Sequence, residues 1–516
     1  MAIINLTALF SRLVSNLPYT SLALLFCVAY VAVYRIYFSP LAHVPGPKLA
    51  AVSSLYEFYH DCIRLGQFVF RLDELHKQYG PIVRIGPSEV HIKDAQFFDK
   101  FYNVTTKLDK YDWFYRFANT PYASFGTIKA EDHRLRRSAL AKHFSPASII
   151  RLDPVITQAV SILCRRLEEH RRGKRVVDLG NAFRCFSGDV VTEYVVPDPL
   201  TLLEHENFAA DYNSVFIRRF AIFGTFNRHL GWLLPVMLSM PRWLLLLTNP
   251  PAVLQVFSRI KLIEEQARIV TQSGGPPKQK KNYPLVLSSI YHSDLPAHEK
   301  TLIRLAQDGL VLVMAGTETT AITLSVATYH LLTKPHLLKR LQIELQSSFP
   351  AAADDTIISY RDLEKLPFLT ACLNESLRLG SPVSGRLPRI DPNSPITYGD
   401  HTLPAGTAIS MTLRDIHYDP SIYPDPRSFN PDRWLEDTDR ARKLHEHFLV
   451  PFGKGARSCI GNNLALAGMY AILGNMFRKF EAIELFETTA DDFEMAYDFF
   501  SPFAKSDSKG LRVLIK

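Results

Sequence analysis

The stretch Phe452-Gly453-Lys454-Gly455-Ala456-Arg457-Ser458-Cys459-Ile460-Gly461 places one cysteine behind a glycine-rich turn, beside an arginine and ahead of an apolar segment with helical character. We expect that helix to open at Ile460, where its amides would favour the cysteine as a thiolate. Gly455 and Gly461 would let the backbone approach a flat group closely. A lone cysteine is more often an inert core residue, so the spacing of its neighbours has to decide its role.

The residues around this cysteine fill every fixed position of the pattern F-x-x-G-x-R-x-C-x-G. The stretch therefore resembles the haem-binding loop of the cytochrome P-450 family, and the resemblance extends over nearly the whole chain. It implies haem b (iron protoporphyrin) with the Cys459 thiolate as axial ligand, Phe452 and Gly455 beside the cofactor, and Arg457 paired with a propionate. A thiolate ligand favours O–O cleavage, which points to oxygen activation.

Residues 295–334 read as one long apolar helix that contains Ala315-Gly316-Thr317-Glu318-Thr319-Thr320. Hydroxyls inside a helix bond back to carbonyls one turn earlier, which either opens the helix locally or simply satisfies a threonine-rich face. The string is similar to the family's oxygen-binding motif. That resemblance implies that Thr319 hydrogen-bonds the reduced dioxygen, that Glu318 relays protons to it, and that the Ala-Gly pair leaves room for dioxygen.

Glu375 and Arg378 lie three positions apart on a helix predicted from Pro367 to Gly380, so they share one face. Alone, such a pair is most often a solvated salt bridge. The stretch Phe429-Asn430-Pro431-Asp432-Arg433-Trp434 resembles the family's meander, and the resemblance implies that Arg433 completes an arginine–carboxylate–arginine network. This network would fix the loop that carries the cysteine.

A basic helix, Glu131-Asp132-His133-Arg134-Leu135-Arg136-Arg137, resembles the family's W-x-x-x-R helix with His133 in place of tryptophan. The resemblance implies Arg137 as a propionate ligand and His133 as a weaker one. Arg389, just after Leu387-Pro388, fits a second propionate contact. Arg134 and Arg136 are expected on an exposed charged face.

The lining of a substrate pocket is inferred only from position relative to these motifs. Each aromatic residue among the candidates, taken alone, is more often a plain core residue. Together they predict an apolar cavity and a lipophilic substrate. The candidates are Phe114, Tyr115, Tyr122, Val383, Ser384, Gly385, Phe499 and Phe500.

The 516 residues are 47% hydrophobic and carry a net charge of +8. The resemblance implies a mainly α fold with a small β part, the cytochrome P-450 fold, in a single large helical domain. The runs Ile82-Val83-Arg84-Ile85 and Glu89-Val90-His91-Ile92 predict a hairpin, and 273–284 reads as a surface loop. Six cysteines without a C-x-x-C pair argue against a disulfide framework. The charges are dispersed and no nucleic-acid-binding motif is present, so the basic surface is expected to meet an acidic electron donor and anionic lipid.

The N-terminal segment from Tyr19 to Phe38 is apolar except for Arg35 and is long enough to cross a bilayer as a helix. A cleaved signal peptide is the competing interpretation, but the stretch is long and lacks a small-residue cleavage site. Pro45-Gly46-Pro47 predicts a stiff hinge. We therefore expect a membrane anchor at 1–38, a hinge at 39–50 and a catalytic domain at 51–516.

Basic residues are more frequent after the apolar segment than before it, which predicts a single span with the catalytic domain facing the cytosol. Resemblance to microsomal family members implies the endoplasmic reticulum membrane. A second apolar stretch, 231–247, is broken by proline and predicts a membrane-dipping lip around the pocket.

Together, these features predict a membrane-anchored haem-thiolate monooxygenase that hydroxylates or epoxidises a lipophilic molecule. Since the chain shows no flavin or nicotinamide fingerprint, NADPH would act only through a flavoprotein reductase, with cytochrome b5 as a further candidate donor. The chain looks most like fungal members that oxidise terpenoid or polyketide intermediates. Two alternatives stay open: a haem-thiolate isomerase or dehydratase, and a non-catalytic membrane haem protein.

Overall fold

The computed structural model of the protein describes residues 6–208, 210–232, 236, 239–241, 251–272, 283–350, 356–435 and 439–516. Most of the loop predicted at 273–284 and much of the lip predicted at 231–247 lie outside these residues. Within the lip, Trp232 is described, and 62% of its surface is exposed.

The described residues are mainly helical, as the sequence predicted. Short 3₁₀ and π turns connect several of the helices. The α-helices are Leu6–Val33, Lys48–Val52, Leu55–Phe58, Phe68–Tyr79, Ala95–Phe101, Asp112–Tyr115, Ala130–Ala141, Pro146–Ile150, Asp153–Arg172, Leu179–Val195, Ala210–His229, Pro251–Gln272, Val286–Tyr291, Leu302–Thr333, Pro335–Ser348, Tyr360–Leu363, Pro367–Gly380, Leu413–His417, Asp439–Lys443 and Asn462–Lys479.

Short strands form small sheets beside the helices. They are β1 Ile82–Arg84, β2 Glu89–Ile92, β3 Asp109–Lys110, β4 Val177–Asp178, β5 Arg389–Ile390, β6 Ile396–Tyr398, β7 His401–Leu403, β8 Ala408–Ser410, β9 Ile483–Leu485, β10 Tyr497–Asp498, β11 Pro502–Phe503 and β12 Arg512–Ile515. The largest sheet has the order β1-β2-β8-β5-β3 and includes the predicted β1–β2 hairpin. In this sheet β3 pairs antiparallel with β5, which sets Lys110 directly opposite Arg389.

The helix Leu302–Thr333, called the long helix below, begins seven residues later than predicted. The sequence placed Pro296 in its first turn, but a separate 3₁₀ turn, Ala297–Glu299, follows this proline, and Thr301 takes the N-cap position. Pro335 opens the next helix, which explains why the long helix ends at Thr333.

The long helix packs against Leu179–Val195 through small residues. A Cβ on Gly316 would lie 3.1 Å from the Val191 side chain, so glycine here permits the close approach of the two helices. The main hydrophobic core surrounds this contact and includes the buried faces of Asp153–Arg172 and Asn462–Lys479. The long helix therefore lies at the centre of this core.

The N-terminal helix Leu6–Val33 continues into a π turn, Tyr34–Phe38, that lies against the domain. Arg84 of β1 donates a 2.8 Å hydrogen bond to the Arg35 carbonyl, and Arg35 donates to the Val52 carbonyl at 2.5 Å. Gly46 of the predicted hinge packs on the Arg84 backbone so closely that a Cβ would lie 2.4 Å from its carbonyl oxygen. These contacts tie the end of the apolar segment to the sheet.

Two helices in the described part of the chain are long and apolar enough to cross a membrane. Tyr19–Phe38 has none of its apolar window buried in the protein, whereas half of the corresponding window in the long helix is buried. The long helix is a core helix of the domain. Tyr19–Phe38 is the segment that fits a membrane anchor.

Candidate active site

A cavity of about 420 Å³ lies between the long helix and the loop that carries Cys459. This volume falls within the range usual for small-molecule sites. Residues from four of the sequence motifs line it. They are His133, Arg137, Ala315, Gly316, Glu318, Thr319, Arg389, Phe452, Arg457 and Cys459. Motifs separated by more than 300 residues in sequence therefore meet at one cavity.

The cysteine loop holds Cys459 by its backbone. Its amide donates a 2.7 Å hydrogen bond to the Phe452 carbonyl, and the Arg137 guanidinium donates to the Ser458 carbonyl at 2.8 Å. Burial raises the pKa of the Cys459 thiol, while the Gly461 amide and the Arg137 charge act in the opposite direction. The following helix begins at Asn462 rather than at the predicted Ile460.

Gly455 and Gly461, which the sequence placed beside a flat cofactor, lie in different surroundings. Gly455 has a φ of +75°, and a Cβ there would lie 2.6 Å from the Tyr102 carbonyl oxygen, so glycine is needed for packing against the chain at Tyr102. Gly461 also lines the cavity, but a Cβ there would meet nothing within 4 Å. Gly455 is thus required by the protein's own backbone.

Four basic side chains line this cavity, and a bound anion would favour their charged forms: Lys110, Arg137, Arg389 and Arg457. Lys110 was not identified from the sequence, since it belongs to no motif and reaches the site through the β3–β5 pairing. It is 4% exposed, and its ammonium group lies 4.0 Å from the centre of the Tyr115 ring. Burial, with the charges of Arg389 and Arg457, holds the pKa of Lys110 well below its ordinary value.

The hydrogen bonds of these four cations go to neutral groups. Arg457 donates to the carbonyls of Thr127 and Ile128 at 2.7 and 2.6 Å, and Arg389 donates to the Tyr115 hydroxyl and the Pro388 carbonyl. Burial, followed by the charge of Arg389, lowers the pKa of Arg457 to about 9. None of the four forms an ion pair with a carboxylate among the residues that the structure describes.

Lys110 and Arg389 are buried, and Arg137 and Arg457 are half-buried. Charges in such positions are costly without a counter-charge, and like charges directly opposite each other on paired strands destabilise a sheet. The cavity wall therefore calls for a ligand that carries negative charge. Haem brings two propionate carboxylates, which guanidinium groups bind by charge-assisted hydrogen bonds. The four cations together with the cysteine fit this cofactor.

The basic helix Ala130–Ala141 differs in part from its predicted arrangement. Burial, followed by the charge of Arg457, lowers the pKa of His133 to about 2, so this histidine offers a neutral ring to the cavity. Arg134 is exposed, as expected. Arg136 was also expected to be exposed, but it pairs with Glu299, with 2.8 Å between Nη2 and Oε1.

On the long helix, Glu318 is held by a partner that the sequence did not reveal. Arg184 donates from Nε and Nη2 to the two carboxylate oxygens of Glu318, at 2.7 and 2.9 Å. Burial alone would lower the pKa of Arg184, but the charge and hydrogen bonds of Glu318 outweigh it and raise that pKa. The carboxylate is therefore fixed in an ion pair at the wall of the cavity.

Thr319 lines the cavity next to this ion pair. Its hydroxyl donates a 2.8 Å hydrogen bond to the Ala315 carbonyl, and Thr317 bonds back to Val313 in the same way. The helix runs without interruption from Leu302 to Thr333, so these bonds satisfy the hydroxyls without breaking it. Rotation about χ1 would let the Thr319 hydroxyl point to a ligand in the cavity instead.

The carboxylate of Glu375 is the centre of a fully buried network. Arg378 donates to its two oxygens at 2.9 and 2.8 Å, and Arg433 donates to Oε1 at 3.1 Å. Trp434 Nε1 and the Asn430 amide add bonds of 3.0 and 2.9 Å. The meander is thereby attached to the helix Pro367–Gly380 through one side chain.

Several candidate lining residues lie elsewhere. Tyr115, Val383, Phe499 and Phe500 line the cavity, whereas Phe114, Tyr122, Ser384 and Gly385 do not. Phe114 instead lies between two guanidiniums, with Arg386 at 4.7 Å and Arg228 at 4.8 Å from its ring centre. These arginines hold a buried group of carboxylates, Glu57, Asp61 and Glu89, beside the cavity.

The sequence matches the family model described as Cytochrome P-450 over residues 47–500. A cytochrome P-450 monooxygenase of Sordaria araneosa is 37% identical over 502 residues, which cover 94% of this chain and 95% of that protein. A tryptophan 6-hydroxylase of Fusarium equiseti is 37% identical, with 94% of each chain covered. An N-acetyltryptophan 6-hydroxylase of Emericella nidulans is 36% identical, again with 94% of each chain covered.

The chain belongs to the cytochrome P-450 family. It is accordingly an oxidoreductase that incorporates oxygen from dioxygen, with haem bound through a cysteine thiolate and with electrons from NADPH delivered by a partner reductase. Its relatives are fungal monooxygenases of secondary metabolism. The fold, family and cofactor predicted from the sequence are confirmed.

Proposed function

We propose that Cys459 is the axial haem ligand and that the enzyme hydroxylates or epoxidises a lipophilic intermediate of fungal secondary metabolism. The observation that carries this proposal is the cavity that brings together Cys459, Thr319 and four basic side chains that form no ion pair within the part of the chain that the structure describes. The haem supplies the oxidising chemistry when bound. The protein would hold it through Cys459 and the cations, and would offer donors from the long helix above it.

The Glu318–Arg184 pair supports proton delivery to the cavity. Glu318 accepts two hydrogen bonds from Arg184, so releasing one would free a carboxylate oxygen to take a proton from water and pass it to Thr319. An isomerase or a non-catalytic haem protein has no need of this acid–alcohol pair. Its presence favours a monooxygenase that consumes two protons for each dioxygen.

We propose a terpenoid or polyketide as the substrate because the cavity wall beyond the cations is largely apolar and aromatic, with Phe117, Phe125, Phe220 and Phe500 among its residues. Aromatic rings also suit an indole, and two relatives are named as hydroxylases of tryptophan or its N-acetyl derivative. Indoles are therefore the alternative class against which the terpenoid or polyketide proposal is tested.

The test is conversion in microsomes that contain this chain and a flavoprotein reductase, supplied with NADPH and ¹⁸O-labelled dioxygen. Each of the three substrate classes is presented in turn, and products are analysed by mass spectrometry. The proposal predicts a product with one labelled oxygen atom from a terpenoid or polyketide. A product without label would support the isomerase alternative, and labelled product from indoles alone would replace the substrate class.

Thr319→Ala is expected to retain haem and substrate binding while it diverts reduced dioxygen to free hydrogen peroxide. The hydroxyl of wild-type Thr319 would donate a hydrogen bond to the reduced dioxygen. The loss of one such donor lowers the rate of an enzyme reaction by a factor of roughly 10²–10³. Peroxide formed per NADPH should rise, and product per NADPH should fall. Thr317→Ala is the matched control, since that hydroxyl is buried against Val313. If both variants form the same amounts of peroxide and product per NADPH, Thr319 has no role in oxygen chemistry.

We also propose that the enzyme resides in the endoplasmic reticulum membrane with its catalytic domain in the cytosol. The exposed apolar helix through Tyr19–Phe38 supports this location. The catalytic domain would then meet the NADPH-dependent flavoprotein reductase, and cytochrome b5 as a further donor, on the cytosolic side. Arg35 at the C-terminal end of the span and Lys48 just after it would favour that orientation.

Deleting residues 1–33, which keeps the contacts of Arg35, is expected to release most of the protein from microsomes but to leave weak binding to liposomes. The span supplies the strong attachment, and the lip around exposed Trp232 would supply the weak one. Adding Trp232→Ser should lower liposome flotation further, whereas adding Ile343→Ser, at an exposed apolar position on Pro335–Ser348, should not. If the two substituted, truncated proteins float equally well, the segment around Trp232 does not bind the membrane.

A further inference from the structure

His417, the last residue of the short helix Leu413–His417, is fully buried between the Glu375 network and the cysteine loop. No sequence motif discussed above includes it. Its backbone carbonyl accepts a 2.8 Å hydrogen bond from Arg378, so it is attached directly to the network. Both nitrogens of its ring form hydrogen bonds, one with the cysteine loop and one with Ser381.

The hydrogen bonds around the ring define its tautomer. The Val450 amide donates to His417 Nε2 at 3.1 Å, so Nε2 must be unprotonated. Nδ1 therefore carries the proton and donates to the Ser381 hydroxyl at 3.0 Å, while that hydroxyl donates to the Arg378 carbonyl at 2.9 Å. Burial, followed by the charge of Arg378, lowers the pKa of His417 to about 3, so the neutral ring is retained in ordinary assay buffers.

Val450 lies two residues before Phe452, at the start of the cysteine loop. The Val450 carbonyl accepts from the Gly453 amide at 2.9 Å, and the Phe452 carbonyl accepts from the Cys459 amide at 2.7 Å. A shift of Val450 would therefore move both ends of the turn that presents the thiol. Its amide is buried, so without an acceptor at His417 it would be left unpaired.

We propose that His417 is a positioning residue that transmits the geometry of the Glu375 network to the cysteine loop and thereby keeps Cys459 in place as an iron ligand. The network fixes the helix Pro367–Gly380 and the meander but, among the described side chains, it reaches the loop through the His417 ring. The acceptor at Nε2 is the group that the loop requires. The donor at Nδ1 holds the ring in the orientation that presents this acceptor.

The experiment compares four holoproteins by the carbon monoxide difference spectrum of the reduced haem. His417→Leu removes both hydrogen bonds at similar volume, His417→Gln can offer an acceptor near the Nε2 position, and His417→Asn can offer a donor near the Nδ1 position only. The fraction of haem that has lost the thiolate band should rise roughly tenfold in the Leu and Asn proteins, as expected for a buried amide left unpaired. In the His417→Gln protein this fraction should stay close to that of the wild type.

A buried histidine elsewhere separates this role from general packing. His170 is 6% exposed, its ring stacks on Phe208, and its ring nitrogens form no hydrogen bond with the described residues, so His170→Leu should leave the thiolate band unchanged. The reduction potential provides a second readout and should shift in the Leu and Asn proteins. If His417→Leu does not fold, the Gln and Asn proteins still decide the matter. Thiolate fractions and potentials that are equal in Gln, Asn and wild type would overturn the proposal.

Discussion

Cys459→Ser is expected to abolish oxygen-dependent turnover and to remove the red-shifted carbon monoxide band that a thiolate ligand gives to ferrous haem. Loss of residues that merely support a metal ligand costs about 10–100-fold in affinity or activity, so loss of the ligand itself should cost more than about a hundredfold. A serine hydroxyl stays protonated at neutral pH and does not supply the electron density of a thiolate. Haem content, the difference spectrum and NADPH-dependent product formation measure the effect.

Haem itself should still bind in that variant, because the cations at Lys110, Arg137, Arg389 and Arg457 remain. Cys62→Ser is the matched control, since Cys62 is buried outside the cavity with its sulfur 4.0 Å from the Thr225 carbonyl oxygen. It should keep both the band and the activity. Retention of the thiolate band by Cys459→Ser would show that another residue ligates the iron.

Glu375→Ala is expected to give little folded holoprotein. Two buried guanidiniums, Arg378 and Arg433, would lose their shared carboxylate, and breaking a buried ion pair by removal of one partner costs about 3–5 kcal/mol. That is a large part of the roughly 5–15 kcal/mol stability of a typical domain. Expression yield, haem content and thermal unfolding measure the loss.

An exposed glutamate on the neighbouring segment provides the control for this loss. Glu364→Ala should express and bind haem like the wild type. The Thr370 hydroxyl donates to the backbone carbonyl of Glu364, and the substitution leaves that carbonyl in place. Glu375→Gln keeps the volume and one acceptor oxygen, so its yield should fall between those of Glu375→Ala and the wild type. Normal haem loading in Glu375→Ala would mean that the network does not support the site.

The motif residues could be found from sequence because their spacing is local. The loop around Cys459 fixes five residues within ten positions, and Glu375 and Arg378 share a helical face, so each group can be read without knowledge of the fold. The helix Pro367–Gly380 was predicted to start near Pro367 and to end at Gly380, because proline favours a first helical turn and glycine a helix end, and the structure places both ends there. The start of the long helix was missed because Pro296 initiates a 3₁₀ turn instead.

The partners that act across the fold could not be found in this way. Lys110 reaches the cavity through the pairing of a two-residue strand with Arg389, and Arg184 meets Glu318 only because two helices pack closely at Gly316. His417 contacts a residue 33 positions further along the chain. None of these has a local pattern. Phe114 was misplaced for the same reason, since the arginines on either side of its ring come from distant segments.

A crystal structure of the haem-loaded protein, with diffraction data collected at the iron absorption edge, would locate the iron and identify its ligands. We expect one strong anomalous peak at bonding distance from Cys459 Sγ, with the haem propionates in hydrogen-bond contact with Arg137, Arg389, Arg457 and Lys110. An iron peak with another ligand in place of Cys459, or propionates directed away from these four cations, would contradict it.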